Sequence, residues 1–147
     1  MRLLTFFLII ILSKENISFA SIQNKILVNV GSQIITTYEL KNRVQTILVL
    51  SNKKINQENV NNTKREALNF LINFKLKKEE TLKFDVKANQ VSVLNYLKGI
   101  SSKYNTNPDG LKKIFFDNNI SYDLFLDGIK TEFAWQQLIF NFHQDKL

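Results

Sequence analysis

Cysteine is absent from the 147 residues, and proline (one) and glycine (four) are scarce. Without cysteine there is no disulfide framework, no thiol nucleophile and no cysteine-ligated zinc site. So little proline and glycine excludes collagen-like, proline-rich and glycine-rich chains, and four scattered glycines cannot build a phosphate-cradling loop. Histidine occurs once, at His143 near the C-terminus, where a solvated side chain is far commoner than a ligand or catalyst. Arginine is scarce too. Only Arg2, Arg43 and Arg65 stand among the 20 basic residues, so the net charge of +7 comes from lysine. That pattern fits a drift toward AT-rich codons. Base and phosphate recognition favours the arginine fork, so no nucleic-acid partner is expected. What is present is a hydrophobic fraction of 44%, which argues against disorder, in a length that suits one domain.

The first twenty residues read as an address. Met1-Arg2 is a short positive start, Leu3 to Leu12 an apolar run, and Ser13 to Ala20 a polar stretch ending in Ser18-Phe19-Ala20. This is the order of a secretory signal peptide, with cleavage expected between Ala20 and Ser21. The run is about half the ~20 residues a membrane-spanning helix needs. Cleavage would remove Arg2, Lys14 and Glu15, leaving 127 residues at +6. No later run is long enough to span a membrane, so an exported, periplasmic protein without stable membrane insertion is expected.

Beyond the leader the pattern predicts one β-hairpin followed by about five helices. Lys25–Ile35 (KILVNVGSQII) alternates and is broken by Gly31-Ser32, a hairpin with a glycine turn. Thr36 and Glu39 have capping-box spacing, and Leu40, Val44, Ile47 and Leu48 then mark one helical face. Ser51–Asn62 is polar and asparagine-rich and reads as a loop. A second capping box, Thr63 and Glu66, opens a helix apolar on most sides from Ala67 to Leu76, hence a central one. Its lysine-rich end, Lys75–Lys83, is expected to emerge into solvent, and Phe84-Asp85-Val86 closes it. A third helix from about Ala88 turns Val91, Leu94, Leu97 and Ile100 inward. Asn107-Pro108-Asp109 restarts the chain as a cap, a first-turn proline and a dipole-complementing acid. Leu111, Ile114 and Phe115 form the next stripe, which Asn118-Asn119 stops. Ser121 caps a last helix with Phe125, Ile129, Phe133 and Phe140 on one face.

Little in this inventory carries covalent chemistry. Glu79-Glu80 are adjacent, face apart and sit beside lysines, which reads as a solvated face. Asp123 and Asp127 are one turn apart, but two carboxylates are too few for a calcium or magnesium site. No catalytic residue, metal or cofactor is expected. The aromatic residues are more informative. After cleavage nine phenylalanines, four tyrosines and Trp135 remain. Phe115 and Phe116 cannot both face inward, and a surplus of large apolar groups implies a groove, an interface or a face covered by another segment.

The ordered set resembles the N-terminal domain of SurA-type periplasmic chaperones, relatives of the parvulin prolyl isomerases. The hairpin Lys25–Leu40 carries the resemblance first. The helix REALNFLINFKLKKEETL (Arg65–Leu82), the Phe84-Asp85-Val86 join, the Leu111 to Phe115 helix and SYDLFLDGIKTEFAWQQLI (Ser121–Ile139), with Trp135, continue it. It implies a mostly α domain over residues 21–142 with a short tail, 143–147, and no isomerase domain in the chain. Lys87 departs from the family's usual helix cap, so the third helix is expected to start late. The family's C-terminal segment, which helps complete the small sheet, is also missing, leaving the hairpin edge exposed.

The resemblance implies an ATP-independent module that binds unfolded polypeptides, outer-membrane β-barrel precursors in particular. The client-binding residues expected on this basis are Ile34, Phe115, Phe116, Tyr122 and Phe125. Two alternatives stand beside it. One is a truncated or split prolyl isomerase whose N-terminal domain is structural and needs a missing parvulin or C-terminal segment. The other is an exported basic helical protein that binds anionic surfaces.

Overall fold

The computed structural model describes residues 24–144. The leader with its Ala20–Ser21 junction, and the last three residues of the tail, lie outside the described residues. Two strands and five helices follow one another: β1 (Ile26–Val30), β2 (Gln33–Thr36), α1 (Thr37–Leu50), α2 (Gln57–Lys83), α3 (Gln90–Ser102), α4 (Pro108–Asp117) and α5 (Tyr122–His143). The protein is therefore mostly helical with an N-terminal antiparallel hairpin, as the sequence pattern predicts.

The hairpin pairs Val28 with Ile35, Asn29 with Ile34 and Val30 with Gln33, and an irregularity between Ile26 and Val28 leaves Leu27 as the extra residue. Gly31 turns the chain at φ +58°. A Cβ there would lie 2.7 Å from Glu79 Oε2 of α2, so the turn needs glycine both for its dihedral and for its seat. Alternation decides the rest. Val30 and Ile35 face inward onto Leu71 of α2, while Ile26, Asn29 and Ile34 face out.

The Thr36–Glu39 capping box forms as its spacing requires. Thr36 Oγ1 accepts from the Glu39 amide at 3.2 Å, and Glu39 Oε2 accepts from the Thr36 amide at 2.9 Å. Helix α1 buries Val44 and Leu48 against Ala67 of α2. At 27 residues α2 is the longest element, and the hairpin, α1 and α5 all pack on it.

Helix α2 corrects two expectations. It begins at Gln57, capped by Asn56 Oδ1, which accepts from the Asn59 amide at 2.8 Å. The asparagine-rich stretch is thus half helix, and Thr63 is a buried interior residue instead of a cap. The helix starts early because Val60 already packs against Val44 and Leu48 of α1, so tertiary packing overrides the poor helix propensity of asparagine. Its lysine-rich end also stays docked. Lys75 binds Glu39 of α1 at 2.6 Å, Lys77 binds Glu132 of α5 at 2.6 Å, and Lys78 binds Asp127 of α5. Asp127 is thereby committed to an ion pair, and Glu79 and Glu80 both face Lys83.

The second core lies between α3, α4 and α5. Val93 and Leu97 meet Leu111, Phe115, Ile120, Phe125 and Ile129. Helix α3 starts at Gln90 with Asn89 as its cap, late as Lys87 implies. Its buried face is Val93, Leu97 and Ser101, so Val91 and Leu94 point out, contrary to expectation. Ser101 is fully buried on that face. Its small hydroxyl bonds to the Leu97 carbonyl at 2.6 Å and needs no other partner in the core. Asn107 caps α4, Asn119 turns at φ +55°, and Ser121 caps α5, all as predicted. Along α5 the inward face is Phe125, Ile129, Ala134 and Leu138, whereas Phe140 is exposed. By that point α5 has reached the end of α2, where the Phe142 ring meets Phe84 edge-on at 5.0 Å.

Candidate functional site

An apolar groove of about 370 Å³ runs between β1, α1 and the start of α2. Leu27 forms one wall, Leu40 and Val44 the floor, and Ile55 and Val60 the other wall, with Lys41 and Lys64 at the rim. Local structure explains each position. The bulge in β1 turns Leu27 toward α1. The α1–α2 loop is folded back on itself, with the Lys53 amide on the Leu48 carbonyl at 2.9 Å and Asn59 Nδ2 on the Lys54 carbonyl at 2.8 Å. That loop presents Ile55, the apolar residue of an otherwise polar segment. Leu27 and Ile55 remain 43% and 46% exposed. Their burial by a ligand would contribute about 1 kcal/mol each. Within the described residues the sheet contains β1 and β2 alone, so each strand has one edge without a strand partner.

A second feature lies on the other side of α1. The Arg43 guanidinium stacks 3.4 Å above the Phe70 ring, and its buried Nε has no hydrogen-bond partner. Burial pulls its pKa down to about 10, against the opposing pull of Glu66 and Tyr96, so it stays charged at neutral pH. Close by, burial pushes the Glu39 carboxyl up. The Lys75 and Thr36 hydrogen bonds and the Lys75 charge outweigh that and hold it below the ordinary carboxylate value.

The residues expected to hold a client are not brought together. Phe115 is fully buried, with its ring 4.6 Å from Phe125 and 5.6 Å from Tyr122. Phe125 is also core, and Tyr122 is half-covered against the same cluster. These three are corrections: the stripe that marks them as large and apolar is the stripe that docks α4 and α5 on α3. Phe116 is 79% exposed, and Ile34 lies on the outer face of the hairpin. The two sit on different elements, α4 packing on α3 and α5 while the hairpin packs on α1 and α2.

The groove and Arg43 carry only faint signals in the sequence. A lone isoleucine in the polar run SNKKINQENV is the available signal for Ile55. For Arg43, it is an arginine inside an apolar helical face in a chain that mostly uses lysine. Among the described residues, no group of three or more histidine, aspartate or glutamate side chains is placed to hold a metal ion, and no helix is long and apolar enough to cross a membrane. Comparison with protein-family models, with curated proteins and with solved structures finds no match.

Proposed function

We propose that the chain is a polypeptide-binding chaperone module, exported to the periplasm, that holds apolar segments of unfolded outer-membrane β-barrel precursors without ATP. The apolar groove beside an unpaired strand edge is the observation that carries this reading. An extended client can place alternate side chains in the groove while its backbone pairs with the edge of β1. The lysine rim favours segments flanked by carboxylates. Each contact is small, which suits weak, exchangeable binding spread over many residues. The ordered sequence pattern shared with SurA-type N-terminal domains and the signal-like leader support the same reading.

Light scattering from a denatured outer-membrane protein tests it. The full chain in several-fold excess suppresses aggregation, and Leu27→Asp with Ile55→Asp abolishes the effect. Suppression that survives high ionic strength separates this reading from electrostatic adhesion to anionic surfaces. Absence of suppression overturns the proposal.

A specific surface favours one second reading, in which the domain is structural and is completed by a further segment or subunit of a split prolyl isomerase. Phe84 and Phe142 meet edge-on where α2 and α5 end, and both rings stay more than half exposed, an apolar patch. Native mass spectrometry showing a stable partner over that patch supports this alternative.

A further inference from the structure

The groove leaves Arg43 unused. The guanidinium borders a cavity of about 310 Å³ between α1, α2, α3 and α5, walled by Phe70, Tyr96, Phe125 and Phe133. Stacking on Phe70 occupies one face of the cation. Its buried Nε has no hydrogen-bond partner. The acids nearby are already committed. Glu132, on the cavity wall, is held by Lys77 at 2.6 Å, and Glu39, on the other flank of Arg43, is held by Lys75 at 2.6 Å. Glu66 acts on Arg43 through its charge and is itself exposed. Among the described residues Arg43 thus lines a cavity with four aromatic walls and has Glu66 as a counter-charge at a distance, without a salt bridge of its own.

From this we infer that the Arg43 cavity binds a small apolar carboxylate, a single carboxylate carried on one aromatic or aliphatic group. The guanidinium fork matches a carboxylate bidentately. One cation balances one negative charge, which disfavours phosphate dianions and nucleotides. The volume is at the low end of the roughly 300–1,000 Å³ of small-molecule pockets, enough for about one ring or a short chain. Tyr96 and Gln136 supply polar groups at the cavity edge.

Titration calorimetry on the full chain tests the site, with N-acetylphenylalanine as a probe for a polypeptide C-terminus and decanoate as a probe for a fatty acid. N-acetylphenylalaninamide is the uncharged comparison. The carboxylate binds at least about tenfold more tightly than the amide, the fold-change of a charge-assisted pair. Arg43→Met removes that preference with the helical circular dichroism unchanged, and Arg43→Lys gives an intermediate value. If decanoate is the better ligand, the natural source is lipid-like; if N-acetylphenylalanine is, the source is a chain terminus. Leu27→Asp and Ile55→Asp leave carboxylate binding intact, which separates this site from the groove. Equal binding of acid and amide, or no carboxylate binding into the millimolar range, overturns the inference. Where Arg43→Met fails to fold, the acid-to-amide ratio on the unmodified chain decides alone.

Discussion

Replacing Phe115 and Phe116 one at a time by alanine separates core from surface within a single helical turn. Phe115 is fully buried among Leu111, Tyr122 and Phe125, whereas Phe116 is 79% exposed. Removing a buried phenyl ring forfeits its transfer free energy and leaves a cavity, which costs about 3–5 kcal/mol. The rings of Tyr122 and Phe125 add to this, since each loses an edge or tilted partner worth about 0.5–1.5 kcal/mol beyond area. A domain of this size has a total stability of about 5–15 kcal/mol, so Phe115→Ala removes a large share of it. The expected fall in Tm is on the order of 10–20 °C. Phe116→Ala changes stability by no more than about 0.5 kcal/mol. Urea unfolding followed by helical circular dichroism measures both. A Phe116→Ala loss as large as that of Phe115→Ala would refute the assignment of α4's buried face.

The Glu39–Lys75 pair gives a pH signature. Glu39 titrates below the ordinary carboxylate value in the folded chain, so its stabilising contribution is complete above that value and is lost as pH falls through the depressed one. Lys75→Met leaves a part-buried carboxylate without its cation and costs about 1.5–3 kcal/mol at neutral pH. It also makes mild acid less harmful to the variant than to the parent, a difference readable from Tm between neutral pH and about pH 4. A parallel loss in both proteins would contradict the pairing. Asn119 turns the chain between α4 and α5 at φ +55°. Asn119→Gly is therefore neutral or stabilising, and Asn119→Val costs about 1–2 kcal/mol in the same urea assay. The reverse order would exclude a left-handed turn.

Helix boundaries set by side-chain capping were legible in the sequence. Thr36 with Glu39, Asn107 with Pro108, Asn118-Asn119 and Ser121 act through atoms a few residues apart, so local spacing marks them, although the same spacing at Thr63 and Glu66 lies inside α2. Gly31-Ser32 belongs with these, because a two-residue turn is local. The start of α2 was not legible, since Gln57–Asn62 gains its packing from Val60 against α1, a contact across the chain. The face of α3 was hidden for a related reason. Apolar periodicity favours Val91 and Leu94, but Ser101 is the small residue that fits the core. The same limit applies to the sites. Phe115 and Phe125 are as apolar in sequence as any client-binding residue, and only the packing of α4 and α5 shows that they are taken. Leu27 and Ile55 come from distant segments, and a β-bulge and a folded-back loop bring them to one groove. Arg43 matters through Phe70, 27 positions away along the chain.

Site-specific photocrosslinking at the groove tests the account most directly. A photoreactive side chain at Ile55 of the full chain is irradiated with an unfolded outer-membrane β-barrel protein, and the same group at Phe116 serves as the comparison. Phe116 is more exposed but lies on α4, away from the groove. Client adducts are expected at position 55 well above those at 116, competed away by apolar peptides. Adducts equal at both positions, or found at 116 and absent at 55, would contradict it.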